Sequence, residues 1–400
     1  MKLARLLHPR PLQAFGGFGL ELEYMIVERA SLDVAPIAER VLPRESWSNE
    51  LVAHVVEIKN PRPTAKLATL AASFQQEVRA MNASLEPLGA RLMPGAMHPW
   101  MDPRREMRLW PHDNEIYRAY HRIFDCRSHG WANLQSVHIN LPFADDAEFA
   151  RLHAAVRLAL PIIPAIAASS PFAEGRVTGW LDYRLHAYET NAGALPQMNG
   201  DMVPEPMASR AQYERELLRP LYAALAPHDA EGLLRHEWAN ARGAIARFDR
   251  NAIEIRLVDV QECPAADVGV AAAIIDLVWW LYHRGAPELP TAELAQILRT
   301  CMRDAERAPI DCPAYVEALT GKRQTCDAGA VWAGIAERMP EAPHRALWSP
   351  ILERTLALGP LARRLLGAAG DNPPRGRLAA LYEHLCECLQ NGVLFDDLSY

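Results

Sequence analysis

The chain has 400 residues, half of them apolar and 23% charged, with 42 Lys plus Arg against 49 Asp plus Glu and a formal charge of −7. At roughly 150 residues per domain there is room for two or three units, or for one large domain with an appendage. The acidic balance argues against a global pull toward nucleic acid or an anionic membrane. Seven cysteines, odd in number, scattered and without a C-x-x-C pair, fit reduced thiols in the cytoplasm rather than a secreted disulfide framework. The amino-terminal stretch is basic, but His8, Pro9, Arg10 and Pro11 break its apolar run before a signal core can form.

Five stretches alternate as half-buried strands do: Phe18 to Val27, Leu51 to Lys59, Arg91 to Met97, Ser136 to Pro142, and Ala252 to Val260. Thr64 to Leu88 carries an apolar stripe at helical spacing and stops at Gly89. Between them and the next strand, Pro99 to Trp131 is rich in Arg, Trp and His, with a helical pattern only near Glu115 to Phe124. Excursions of that length are often functional, and its Arg104 and Arg105 are candidates for covering a substrate mouth. Asp145 or Asp146 can cap a helix from Ala147 toward Ala168, kinked by Pro161 and Pro164. Val268 to Tyr282 is the most apolar run, interrupted by Asp276 and shorter than the roughly 20 residues that span a bilayer. It reads as a buried helix. Beyond residue 290 helical patterns at Thr291 to Arg307, Ala314 to Leu319, Ala328 to Arg338, Ala346 to Leu366 and Arg377 to Gln390 alternate with Pro and Gly breaks. The expected division is residues 1–285 as one unit and 286–400 as a helical region.

The strands carry the chemistry. On a strand Glu21 and Glu23 leave one face while Leu20, Leu22 and Tyr24 leave the other. Glu57 shares a face with Val55 and Lys59, His138 with Asn140, and Glu254 with Arg256. Any one of these is most often a solvated edge, a core histidine or a cross-strand ion pair. Their recurrence on four strands favours one polar surface, on which side-by-side carboxylates repel unless cations lie between them. Carboxylates with at most one imidazole are hard ligands suited to Mg2+ or Mn2+, and Mg2+ usually bridges carboxylates to substrate phosphates. Arg184, Arg242, Arg247 and Arg256 would add forked donors for phosphate or carboxylate oxygens. Acids, divalent cations and arginines together point to phosphoryl transfer from a nucleotide. Gly16, Gly17 and Gly19 precede a strand instead of opening a helix, which excludes a dinucleotide loop.

The segments FGLELEYMIV, VVEIK, GAMHPW, QSVHINLPF, ASSPFAEGR and AIEIRLVDVQECP, in that order over roughly residues 15 to 285, resemble the bacterial and plant-type glutamate–cysteine ligase family and related carboxylate–amine ligases. The resemblance implies an α+β fold in which an antiparallel sheet curves into a glutamine-synthetase-like funnel with helices outside. It implies that residues 1–285 form the catalytic unit, and that an amide is made from a glutamate side-chain carboxyl and an amine with ATP and Mg2+. By the same likeness Glu21, Glu23, Glu57 and Glu254 are metal-binding acids, and His138 stands beside metals and phosphates. Arg256 faces the transferred phosphate, Asn140 matches the polar position following the histidine, and Arg184, next to Asp182, takes a substrate carboxylate; with Arg247 of the polar face, Asn140 is the candidate for contacting the nucleotide. Glu50 is a further acid between the first two strands. After Glu57 the chain reads IKNPRP, where relatives more often place small or hydroxyl residues, which leaves the acceptor amine open. A phosphagen-type kinase and a non-catalytic nucleotide sensor are alternatives on the same scaffold. Small amino-acid substrates are the expected partners, and the helical region is a packing or dimerisation layer, with a homodimer left open.

Overall fold

The computed structural model describes residues 11–42 and 44–396; the first ten residues of the basic amino-terminal stretch lie outside it. The main sheet has seven antiparallel strands and does not close. β1 (Gly19–Glu28) is flanked by β3 (Val55–Lys59), which pairs outward with β2 (Trp47–Asn49). The other edge of β1 is shared by β4 (Ala90–Met93), against Met25 to Glu28, and β5 (Ser136–Pro142), against Gly19 to Leu22. A small hairpin, β6 (Phe172–Ala173) with β7 (Arg176–Val177), stands apart. β5 continues to β9 (Ala252–Asp259), which pairs with β8 (Ala244–Arg247).

All five expected strands are present: Ser136 to Pro142 has the expected bounds, the first is shifted by one residue, and the other three are shorter. The second begins at Val55 because Ala53 and Leu51 bond instead to Arg108 and Trp110 of the Arg- and Trp-rich excursion. β2 and β8 were not expected, since three residues and an Ala-rich run give no alternation to read. Gly243 explains how β8 reaches its place: a Cβ there would sit 2.5 Å from the Leu257 side chain. Its lack of one lets the Gly243 carbonyl accept the Arg256 N–H at 2.9 Å.

The period-two pattern sorts the faces. Leu20, Leu22, Tyr24, Val56, Ile58, Val137, Ile139, Ile253 and Ile255 enter the larger core cluster together with the helices Leu67–Leu85 and Pro264–Arg284. On the opposite face Met25, Val27, Val55 and Met93 are covered by a second cluster that includes the helix Arg375–Asn391. The rest of that face, from Glu21 across to Arg256, borders a cavity.

The helix Pro264–Arg284 has 21 residues, more than its apolar run suggested, and is long and apolar enough to cross a membrane. It is buried within the fold, where Asp276 accepts hydrogen bonds from Trp348 Nε1 at 2.7 Å and from the His344 N–H at 2.9 Å. Asp145 caps the helix Asp146–Ala159, and Pro161 and Pro164 turn its continuation into a 3-10 turn and a second short helix. The pattern over 346 to 366 divides into Arg345–Leu358 and Leu361–Ala369, because Gly359 at φ +86° and Pro360 cannot continue a helix. A two-residue strand pair, β10 (Pro309–Ile310) with β11 (Cys326–Asp327), interrupts the otherwise helical carboxy-terminal region. The seven cysteines are free thiols.

Candidate active site

Strand register turns five separate pairings into one constellation. Glu21 lies opposite Lys59 on one side and His138 on the other, and Glu23 lies opposite Glu57. His138 Nδ1 is 3.1 Å from Glu21 Oε2, and its Nε2 is 3.0 Å from Ser136 Oγ. Glu23 Oε2 accepts both the Ser136 N–H at 2.7 Å and the Ser136 hydroxyl at 2.9 Å. Asn140 does not line the cavity; its amide donates to Glu21 Oε1 at 3.4 Å and so braces that carboxylate. Glu57 accepts from Lys59 Nζ at 2.7 Å and from Ser48 Oγ at 2.6 Å. Glu254 is clasped by Arg247 Nη1 at 3.0 Å and Arg256 Nε at 2.6 Å.

The charges respond to this crowding. Burial opposes ionisation of Glu254, yet Arg256, His138 and Arg247 hold its pKa at about 2. Burial likewise works against charging His138, but the hydrogen bond to Glu21 and the charges of Glu23 and Glu254 raise its pKa to about 9. Glu50 shifts the other way: burial and the neighbouring Glu23 and Glu57 push its carboxyl well above the ordinary range. Glu57 is raised by burial and by Glu21, against the pull of Lys59. Glu50 is thus the carboxyl that its acidic neighbours disfavour most as an anion, as expected where carboxylates crowd without a cation directly between them.

These residues fit divalent cations. Glu21, Glu57 and His138 form one trio and Glu23, Glu50 and Glu57 another, each with ligand atoms within 4.8 Å of one another. The donors are carboxylate oxygens and one imidazole, the set hard cations prefer, and Glu57 is common to both trios.

The cavity measures about 460 Å3. Glu21, Glu23, Glu57, His138, Arg247, Glu254, Arg256 and Arg184 all line it. Arg184 is buried on the helix Tyr183–Glu189, its Nε bonded to Asp259, while Nη2 has no partner among the described residues. Asp259 is itself fixed by the Ser169 N–H and the Ser170 hydroxyl, both at 2.8 Å, so the Ser-Ser pair anchors the arginine indirectly. Asp182 is protonation-prone beside it, raised by burial and by Asp259.

Two groups lie elsewhere. Arg104 and Arg105, on the short helix Pro103–Glu106, are exposed and do not line the cavity. The excursion reaches the cavity through Ile116, Tyr117, Tyr120 and Trp131 instead. Arg242 points away, its fork engaged by Glu205 at 2.7 Å through both Nε and Nη2. Residues that sequence reasoning did not assign are also here. Lys59 was visible as a face-mate of Glu57; Glu50, Arg250 (3.7 Å from Glu21) and Tyr188 gave no periodic signal because they sit on loops or on a short helix end.

The sequence profile of glutamate–cysteine ligase family 2 matches residues 17–324. An uncharacterized protein of Archaeoglobus fulgidus is 35% identical over 268 residues, 67% of this chain and 71% of that one. A Bradyrhizobium protein named as a candidate glutamate–cysteine ligase 2 is 26% identical over 279 residues, 64% of this chain and 59% of that one, so the match spans about three fifths of that relative. The glutamate–cysteine ligase of Francisella tularensis, solved in complex with AMP, superposes with a TM-score of 0.60 at 11% identity, covering 93% of this chain and 88% of that one, a likeness of fold.

Proposed function

Since this chain belongs to glutamate–cysteine ligase family 2, we propose that it is an ATP-dependent carboxylate–amine ligase that activates the γ-carboxyl of glutamate and passes it to an amine. The observation that carries this reading is the convergence of four glutamates, His138 and Arg256 from four strands, with Glu50 from a loop, on one cavity. Two trios sharing Glu57 would hold Mg2+ or Mn2+, which supplies neutralisation of the triphosphate and polarisation of the transferred phosphoryl group.

The chain's own groups do the rest. Arg256 is oriented by Glu254, which takes its Nε and leaves the end of the fork toward the cavity; its side chain is 18% exposed, enough to be reached. It thereby offers positive charge where the equatorial oxygens of the transferred phosphoryl group accumulate negative charge. Arg184, locked by Asp259, would orient the donor. The donor carboxylate oxygen bonds to the γ-phosphorus as the bond to the β-bridging oxygen of ADP breaks. The amine then adds to the acyl carbon, loses a proton and expels inorganic phosphate. The strand order supports preorganisation, because Glu21, Glu23, Glu57, His138 and Glu254 are fixed by a hydrogen-bonded ladder and need no loop closure to assemble. The cytoplasm, with small amino-acid substrates and neither nucleic acid nor membrane as partner, fits the free thiols and acidic balance.

The test is isotopic. Glutamate labelled with 18O in its γ-carboxyl is turned over with ATP, Mg2+ and an amine. Label is expected in inorganic phosphate, with ADP unlabelled and its release dependent on the amine. AMP as product, or unlabelled phosphate despite amide formation, would falsify the acyl-phosphate route. ADP release that ignores the amine would mark a kinase.

A further inference from the structure

The cavity has two unlike halves. One is the acid, histidine and arginine face of the sheet. The other is apolar and largely aromatic: Ile116 and Tyr120 of the helix Glu115–Phe124, Trp131, Tyr188, Met198 and Trp238. None of these six side chains is charged, and the three central rings lie against one another. The Tyr120 ring centroid is 5.2 Å from that of Trp131 and 6.0 Å from that of Trp238. Trp131 is pinned by its Nε1–H donating to the Asn191 carbonyl at 2.9 Å, and Trp238 stacks on His236 at 5.6 Å. Both indoles are only half-buried. Rigid indole faces held open toward a cavity are built to receive an apolar body.

We infer that this wall receives the body of the acceptor, and that the acceptor is an amine bearing an aromatic or large aliphatic group instead of the small thiol side chain of cysteine. The inference rests on the ligase reading above and specifies its second substrate. A second flat occupant must be considered, the adenine of ATP. The wall lies in the wrong place for it. Tyr188 stands one turn after Arg184 on the helix Tyr183–Glu189, Arg184 Nη1 donates to the Arg256 carbonyl at 3.4 Å, and Tyr188, Tyr120 and Arg256 line the same cavity. The aromatic surface thus begins beside the arginine assigned to the transferred phosphoryl group. Adenine is separated from that group by a ribose and two further phosphates, whereas the amine must arrive next to it to reach the acyl carbon. An acceptor whose nitrogen attacks at Arg256 has its body on Tyr188, Tyr120, Trp131 and Trp238.

The experiment follows phosphate release by the full-length protein with ATP, Mg2+ and glutamate across phenethylamine, tyramine, phenylalanine, isobutylamine, glycine, ammonia and cysteine. The wild-type protein is expected to show kcat/KM at least about tenfold higher for the aromatic and branched amines than for cysteine, glycine or ammonia. Trp131→Ala and Trp238→Ala are expected to raise KM for the preferred amine about tenfold while KM for ATP stays as in wild type. The acceptor ranking needs no variant, so a Trp substitution that fails to fold still leaves the inference testable. Preference for cysteine or ammonia overturns the inference and leaves the ligase standing. A rise in KM for ATP alone in the Trp variants overturns it in favour of an adenine platform. Absence of phosphate release with every amine overturns both the inference and the ligase reading.

Discussion

Glu254 sits between two guanidinium groups, its carboxylate held at about 2 by their charge although it is buried. Glu254→Gln keeps the shape and removes the charge that orients Arg256. Turnover is expected to fall about 10²-fold or more, by analogy with loss of a preorganised electrostatic contact. Unfolding stability should fall by about 3 kcal/mol, because Arg256 loses its carboxylate partner and the buried Arg247 is left with Asp249 alone. ADP release and urea titration on the same preparation separate the two effects, and turnover within about twofold of wild type would remove Glu254 from the site. Arg104 and Arg105 give the contrasting case. The sequence placed them at a substrate mouth, but both are exposed on a helical turn outside the cavity. Changing both to Ala is expected to leave KM for every substrate within about twofold, as for solvated surface charges; a selective rise for the carboxylate donor would return them to the site.

At the level of elements, the helix Pro264–Arg284 packs on both the sheet and the helix Arg345–Leu358, and Gly269 lies at the contact with that second helix. A Cβ there would lie 2.6 Å from Ile351 Cγ1 and 3.4 Å from the Leu347 carbonyl oxygen. Two effects compete. Replacing a mid-helix glycine by Ala gains about 1 kcal/mol of helix propensity, whereas forcing extra atoms into a packed contact costs about 1–3 kcal/mol. Val adds the bulk without the full propensity gain, so Gly269→Val is expected to lower stability by about 2 kcal/mol and Gly269→Ala by less than about 1 kcal/mol. Thermal and urea unfolding of the pair checks this. A Val variant as stable as wild type would show that the two helices separate freely there.

For the molecule as a whole, the buried histidines set a response to acid. His54 and His98 donate from Nε2 to the carbonyls of Ala132 and Leu32, and burial depresses both to about 4. His153, caged by Phe149 and Tyr213 with neither ring nitrogen bonded among the described residues, is lowered to about 3 by burial and by Arg157. The folded state prefers these rings neutral, so between their folded values and the unfolded value near 6.5 the unfolded chain binds more protons. Their contribution is therefore complete above about pH 6.5 and is lost as pH falls. At pH 5 the share of a single such histidine is about 2 kcal/mol in favour of unfolding. Relative to wild type, His153→Phe should gain about 2 kcal/mol more stability at pH 5 than at pH 8. Urea midpoints at the two pH values measure the difference; an equal offset at both would mean that His153 titrates normally in the folded protein.

What could be read without the fold is what local stereochemistry dictates. Side chains alternate along any strand, so the sharing of one face by Glu21 and Glu23, and by Glu254 and Arg256, follows from the spacing of two alone. Proline and glycine likewise punctuate the helices near their observed ends, as at Gly89 and Pro161. Which faces meet is a long-range matter. Only the pairing of β1 with β3 and β5 sets Glu21 between Lys59 and His138, and only β8, admitted by the missing side chain of Gly243, brings Arg247 to Glu254. Glu50 and the Tyr120, Trp131 and Trp238 wall come from irregular or distant segments whose positions no periodicity encodes. Arg104 and Arg105 show the reverse, a conspicuous cluster that chain direction carries outside the cavity. Periodicity acts over a few residues through backbone sterics, whereas register and the course of an excursion are fixed by burial of both sheet faces at once, a condition that exists only when the whole chain is folded.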